Sequence, residues 1–307
     1  MKLKRSSTQL IAVAAVLAAS GTSAWAGGPF GLDLEGSFGE GGFSRYVPPV
    51  TNPLFNESPF ITTEVKPIYI YHSIPNDFVT DGGDVNVVAL QARIALTERL
   101  AFIATSDGYS WLNFDSTLPD DNGFNDIAAG FKYAFYSDPA QGAIATAGLR
   151  YTIPVGSLES GGLEFNGFGN GYLNPFVTAA KLWDKTQLQG SFGAQIALSD
   201  KNWSFLHGSV HADYEALPGL FPLLEANLTV PVDGGNQITS GPLKNLTGVD
   251  IADIGASNPE TTLTLGGGLR FRVSENAILG AGLEYNVLED KDHLFGWRVT
   301  TDLVIHF

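Results

Sequence analysis

The sequence predicts an all-β protein, a transmembrane antiparallel up-and-down β-barrel of about 12 strands. Three observations carry that expectation. From about residue 61 onward the chain divides into twelve strand-like segments, each about ten to fourteen residues long. Along most of them apolar and polar residues alternate, and the connections between them are by turns short and long. Ordinary globular strands average about five or six residues, whereas about ten residues at roughly 3.3 Å each cross a bilayer core when tilted.

The segments run roughly 61–72, 84–96, 99–109, 124–136, 142–153, 171–183, 186–198, 203–215, 220–231, 260–272, 276–288 and 294–307. In 186–198, Leu188, Phe192, Ala194, Ile196 and Leu198 oppose Gln187, Gln189, Ser191 and Gln195. In 260–272, Leu263, Leu265, Leu269 and Phe271 oppose Thr262, Thr264, Arg270 and Arg272. In 276–288, Leu279, Ala281, Leu283, Tyr285 and Val287 oppose Glu284 and Asn286. A period of two with one apolar face is the mark of a strand between two unlike environments. Segments 61–72, 99–109 and 171–183 read on either parity.

Counted from a periplasmic start, the even links are short: Thr97-Glu98, 137–141, Asp184-Lys185, 216–219 and 273–275. The odd links include long polar stretches at about 73–83, 110–123, 154–170 and 232–259, while those near 199–202 and 289–293 are short. Short turns at one end and long loops at the other, with an even strand number, are the layout of a membrane barrel. Closure would remove unpaired strand edges, which hydrocarbon penalises heavily. Aromatic residues cluster near strand ends, with Trp183, Tyr133, Phe135 and Tyr136 beside inferred periplasmic turns and Trp203 and Trp297 beside inferred external loops. Those are the heights at which aromatic girdles form.

Residues 1–26 read as a cleaved signal peptide: Lys2, Lys4 and Arg5, an apolar run from Leu10 to Ala19, and Ala24-Trp25-Ala26 as the cleavage site. Loss of those three cations would take the formal net charge from −15 to −18. So acidic a chain does not suit nucleic acid, which demands clustered Lys and Arg. The absence of cysteine excludes thiolate metal sites, thiol catalysis and disulfides. Residues 27–60 are rich in Gly, Pro and Asn and contain VPPV and NPLFNESP. They read as a periplasmic lead-in or as a plug docked in the barrel, with 61–307 forming the barrel itself.

The final stretch WRVTTDLVIHF keeps strict alternation to its end, with Trp297, Val299, Leu303, Ile305 and Phe307 on one parity. With the signal peptide and the twelve amphipathic segments, this ending resembles Gram-negative outer-membrane β-barrel proteins. The general shape is also loosely similar to twelve-stranded small-molecule transporters of the phenol meta-pathway type. The resemblance implies a cell outer-membrane location among lipids and lipopolysaccharide, recognition of the last strand by the barrel-assembly machinery, and passive passage of a small-molecule solute. It implies no cofactor.

If the apolar parity faces lipid, the other parity places Arg93, Lys132, Arg150, His207, His211, Asp213, Glu225, Arg270, Arg272, Glu284, Arg298 and Asp302 inside, together with Asp126 and Glu215. These residues either form a structural network of paired charges or line a polar conduit. The pair His207-x-Ser209 matches an H-x-S element of outer-membrane lipid hydrolases, with His as base and Ser as nucleophile. The motif continues there with Asn where this chain has Val210, and the pair turns away from lipid. A catalytic group would need Asp213 or Glu225 to orient the base. His207 and His211 are about 13 Å apart on a strand, too far for one metal ion. Gly266-Gly267-Gly268 reads as a place of bending or close packing, not a phosphate cradle. Asp233, Asp250 and Asp253 in the long loop lack the spacing of a calcium loop. The reading is therefore a passive channel, with a lipid-modifying hydrolase or a closed structural barrel as alternatives.

Overall fold

The computed structural model describes residues 34–39, 42–248, 250–288 and 291–307. The expected signal peptide lies outside the described residues. Twelve antiparallel strands form one closed barrel, each paired with its sequence neighbours and the last with the first. They are β1 (Glu64–Ile74), β2 (Gly83–Ala95), β3 (Leu100–Ser106 continued by Tyr109–Phe114), β4 (Asp121–Phe124 continued by Ile127–Asp138), β5 (Ala143–Ile153) and β6 (Tyr172–Trp183). The remainder are β7 (Thr186–Ala197), β8 (Ser204–Tyr214), β9 (Leu220–Asp233), β10 (Thr262–Ser274), β11 (Ala277–Asn286) and β12 (Trp297–His306).

The closing seam pairs Glu64 with His306 and Ser73 with Trp297. The backbone N–H of Phe307 donates to the Thr63 carbonyl at 3.0 Å, so the ladder is hydrogen-bonded to the last residue. Along β12 the even residues Arg298, Thr300, Asp302 and Val304 are buried, while Trp297, Val299, Thr301, Leu303 and Ile305 lie on the outer side. The same alternation leaves Leu90, Phe131, Phe192, Val210, Leu265 and Leu279 exposed around the outside. So continuous an apolar belt suits hydrocarbon and not water. Trp203 departs from the girdle expected of it. It is buried, packed on Phe205 and close to Phe55, because residues 203, 205 and 207 share the inward parity.

The strands and links mostly fall where the sequence puts them. The turns at 184–185 and 275–276 are two residues long, and the connections 154–171 and 234–261 are the long ones. The region 110–123 differs, being strand over most of its length. Leu100–Ser106 pairs with the lower part of β2, and Tyr109–Phe114 with its upper part. The extra residue at Asp107-Gly108 switches the buried parity from Ala101, Ile103 and Thr105 to Ser110, Leu112 and Phe114. A bulge of this kind breaks the period of two and so hides a strand from pattern reading.

Residues 43–62 do not lie outside the barrel. They are mostly buried, hydrogen-bond to inward side chains of eight strands from β1 round to β10, and meet the His306 ring of β12 through Tyr46. The segment rises from the short-turn end, reverses at Asn52 and descends to β1. Asn52 adopts φ 48°, and its carbonyl accepts from the N–H groups of Phe55 and Asn56. A left-handed backbone is less costly for Asn than for most residues. Phe43, Tyr46, Phe60 and Ile61 pack on Ala101, Ile103, Ile144 and Phe176 of the wall. At the long-loop end, Ile68, Ile70, Val85 and Leu112 pack on Leu158, Phe165, Ile251 and Phe295 of the loops. These apolar inward residues are why 61–72, 99–109 and 171–183 are ambiguous in sequence: both faces of those strands meet apolar neighbours.

Candidate functional site

The inserted segment is rich in proline, which presents a carbonyl but no N–H. Buried carbonyls need donors, and the inward side chains supply them. Gln91 donates to Pro53 O at 2.9 Å, Thr146 to Pro59 O at 2.6 Å, Gln187 to Val47 O at 2.6 Å and Lys66 to Pro49 O at 3.1 Å. Arg270 donates to the Pro48 carbonyl at 2.8 Å and also to that of Pro49, while its remaining N–H groups meet Asp302. Arg150 donates to Leu54 O at 2.6 Å, to Thr105 at 2.7 Å and to Asn174 at 2.9 Å.

Two carboxylates fix the segment from opposite sides. Glu57, on the descending limb, accepts from Arg93 at 2.7 Å and from Lys132 at 2.9 Å. Glu225, on β9, accepts from the N–H groups of Val50 at 2.9 Å and Thr51 at 2.6 Å. His211 bridges Glu225 at 2.6 Å and Asp213 at 3.0 Å. Glycine makes room for the rising limb: a Cβ on Gly266 would sit 2.8 Å from Thr51 Cγ2, and one on Gly282 3.0 Å from Val50 Cγ1. Of the triple glycine, Gly266 serves close approach of the inserted segment and Gly268 close approach of the neighbouring strand at Ala281.

The twelve candidates thus fall into four settings. Arg93, Lys132, Arg150, His211, Asp213, Glu225, Arg270 and Asp302 are buried in the network around the inserted segment. Arg298 and Glu284 are also buried and bond to each other, and Arg298 reaches upward to both Asp250 oxygens at 2.7 and 2.8 Å. Arg272 is not buried. It sits at the short-turn end of β10, its guanidinium 5.8 Å from the Phe221 ring. His207 stacks on Phe55 at 4.7 Å between ring centroids and contacts Asn174 through Nε2 at 2.8 Å. Ser209 is buried with no hydrogen bond to His207, and Asp213 and Glu225 are taken up by His211. The parts of a hydrolytic triad are present but not assembled. Lys66, Gln91 and Asn174 escape the sequence reading, which puts Gln187 on the polar parity without making it a candidate, and the parity ambiguity of 61–72 and 171–183 explains Lys66 and Asn174.

Above the reversal at 52–56 the interior opens into a vestibule of about 110 Å³. Pro53 and Leu54 form its floor, β1 to β7 contribute wall together with Asn202 and Trp203 just before β8, and residues 165–168 and 250–253 of the two long connections cover it. Asp253 anchors the longer connection to the wall. Its carboxylate accepts from Tyr172 OH at 2.6 Å, Trp203 N at 3.2 Å and Gly255 N at 2.6 Å. Burial pushes the Asp253 carboxyl above the usual carboxylate range, although these donors pull it back.

This fold has counterparts among solved structures. The structure is similar to an outer-membrane channel from Pseudomonas putida F1, at 15% identity and a TM-score of 0.55 over 85% of this chain and 100% of that one. It also aligns with the NanC porin, at 7% identity and a TM-score of 0.49 over 80% of this chain and 100% of that chain. An anion-selective porin from Comamonas acidovorans gives 9% identity and a TM-score of 0.36 over 80% and 98% of the two chains. The fold is that of outer-membrane barrels. No family model matches the sequence, and no curated protein matches it either.

Proposed function

We propose that the protein is an outer-membrane channel for small molecules, gated by its own N-terminal segment. The observation that carries this reading is the division of one lumen into an external vestibule and a filled lower half, with the reversal at 52–56 as the boundary. A solute enters between the long connections, rests on Pro53 and Leu54, and passes when residues 43–62 shift. Most ties on that segment end on carbonyl oxygens, which water can replace, so movement separates charges only at Glu57 and at Arg45, which pairs with Asp213 and Glu215. The filled lower half also favours the reading of a closed barrel, and one experiment separates the two.

The chain has no cysteine, so Thr51→Cys with Gly266→Cys creates a single possible disulfide between the rising limb and β10. The approach of Thr51 to the Gly266 Cβ position is close enough for a bond that needs Cβ atoms about 3.8 Å apart. In planar bilayers the reduced variant should give single-channel steps like the parent, and oxidation should abolish them reversibly. Steps that persist unchanged after verified oxidation remove the gating reading. A parent protein that gives no steps under any condition removes the channel.

A further inference from the structure

Buried cations in the lumen differ in how their charge is met. Arg93 and Lys132 face two carboxylates, Glu57 and Glu64. Arg150 has no carboxylate within ion-pair distance among the described residues, yet Asn174 of the wall takes its Nε and Nη2 side. Lys66 and Arg270 share one carboxylate, Asp302, and two cations against one anion leave the cluster a formal charge of +1. Lys66, Arg270 and Asp302 are all buried.

The inserted segment meets what remains. Asp302 occupies the end of the Arg270 guanidinium, through Nη1 and through Nη2 at 2.9 Å. The side formed by Nε and Nη2 faces the segment, where Nε donates to Pro48 O at 2.8 Å and Nη2 to Pro49 O. Lys66 Nζ donates to the same Pro49 oxygen at 3.1 Å. Two oxygens on that side of a guanidinium reproduce the bidentate pattern of a carboxylate. Here two neutral carbonyls fill it. Gly280 of β11 belongs to the construction, since the guanidinium crosses it to reach Asp302 on β12 and a Cβ there would collide with both. Carbonyl dipoles leave the excess charge of a desolvated cluster in place, whereas a carboxylate cancels it. Glu225 does not serve, because it lies opposite Gly266, about 13 Å along β10 from Arg270, and is taken up by His211.

We infer that Arg270 and Lys66 form a binding site for the carboxylate of a small organic acid, whose two oxygens replace those of Pro48 and Pro49 and so release the rising limb. The inference rests on the gating reading and names the solute class that works the gate. Thr51→Cys gives the chain a single thiol, buried while the rising limb is docked, so its rate of reaction with a methanethiosulfonate reagent reports release. In the full mature protein in detergent, with chloride holding the ionic strength constant, acetate should raise that rate saturably by about tenfold. The isosteric acetamide should not. In the same background Arg270→Lys keeps the charge but loses the paired donors, and should weaken the acetate response by about tenfold. Lys66→Gln should weaken it too, whereas Arg272→Gln, at the short-turn end, should keep it.

No rise with acetate, or an equal rise with acetamide, overturns the inference without any further variant. So does a full acetate response in Arg270→Lys or Lys66→Gln, in a protein whose heat-modifiable migration shows a closed barrel, or a response lost equally in Arg272→Gln. The thiol assay measures no current. Its failure beside a disulfide that closes the channel removes the carboxylate site and keeps the gate, while a parent without channel steps removes the channel whatever acetate does.

Discussion

The lower half of the lumen and the vestibule above it both carry carboxylates and differ in how that charge is met. Around the inserted segment, Arg93 and Lys132 share Glu57, Arg270 and Lys66 share Asp302, and His211 lies between Glu225 and Asp213. In the vestibule, Asp107, Asp126 and Asp253 have hydrogen bonds but no opposite charge among the described residues. Buried charges held in mutual contact define a structure, whereas half-buried carboxylates facing a cavity stay open to water and to solutes. The contrast teaches that a count of interior charges says little about selectivity until each has been assigned to a partner.

The comparison is broken most severely at Glu57. Glu57→Gln would leave Arg93 with Glu64 as its one carboxylate partner and Lys132 with no carboxylate partner. Removing one partner of a buried pair costs about 3–5 kcal/mol. The expected result is an inserted segment open to protease and a raised open probability in bilayers, with the barrel itself intact. An unchanged cleavage pattern would show that the network does not hold the segment.

A smaller effect is expected from steric crowding at β10. Gly266→Val places a Cβ 2.8 Å from Thr51 Cγ2 and should destabilise the docked segment by about 1–3 kcal/mol, the range for overpacking. Thr51→Ala in the same chain should restore much of that loss in thermal unfolding, since the two sites touch. Additive effects would show that the crowding lies elsewhere.

The smallest effect concerns pH in the long connection. The Asp253 carboxyl titrates above its ordinary value because of burial. A folded-state value raised above the unfolded one means that its contribution is fully present below the unfolded value and is lost as pH rises through the folded value. Hydrogen exchange in residues 234–261 should therefore slow as pH falls through that window, after correction for intrinsic rates. Asp253→Asn should flatten this dependence, and an unaltered profile would assign it to another group.

Much of the architecture is legible in the chain before any coordinates. Strand β12 can be read residue by residue, because Trp297 to Phe307 alternates between two solvents that differ as much as hydrocarbon and a polar interior. Strand β1 cannot, since Ile68 and Ile70 face inward onto loop residues and make the inner face as apolar as the outer. The β3 break at Asp107-Gly108 is equally invisible, as the parity change it introduces looks like the end of a strand. Trp203 sits at the height of a girdle yet points inward, a distinction that position in sequence does not carry. The prolines of VPPV mark an irregular segment, but their carbonyls gain meaning only when Lys66 and Arg270 are seen to donate to them.

By itself the sequence determined the strand number, the alternation, the short and long ends and the inward parity of most charged residues. It could do so because these follow from local periodicity against two uniform environments. Only the tertiary structure decided that residues 43–62 occupy the lumen, which charges meet one another, and which carboxylates are left to face the vestibule. Those outcomes depend on pairings between residues up to more than two hundred positions apart, Pro48 with Arg270 among them, and no local pattern encodes a partner at that distance.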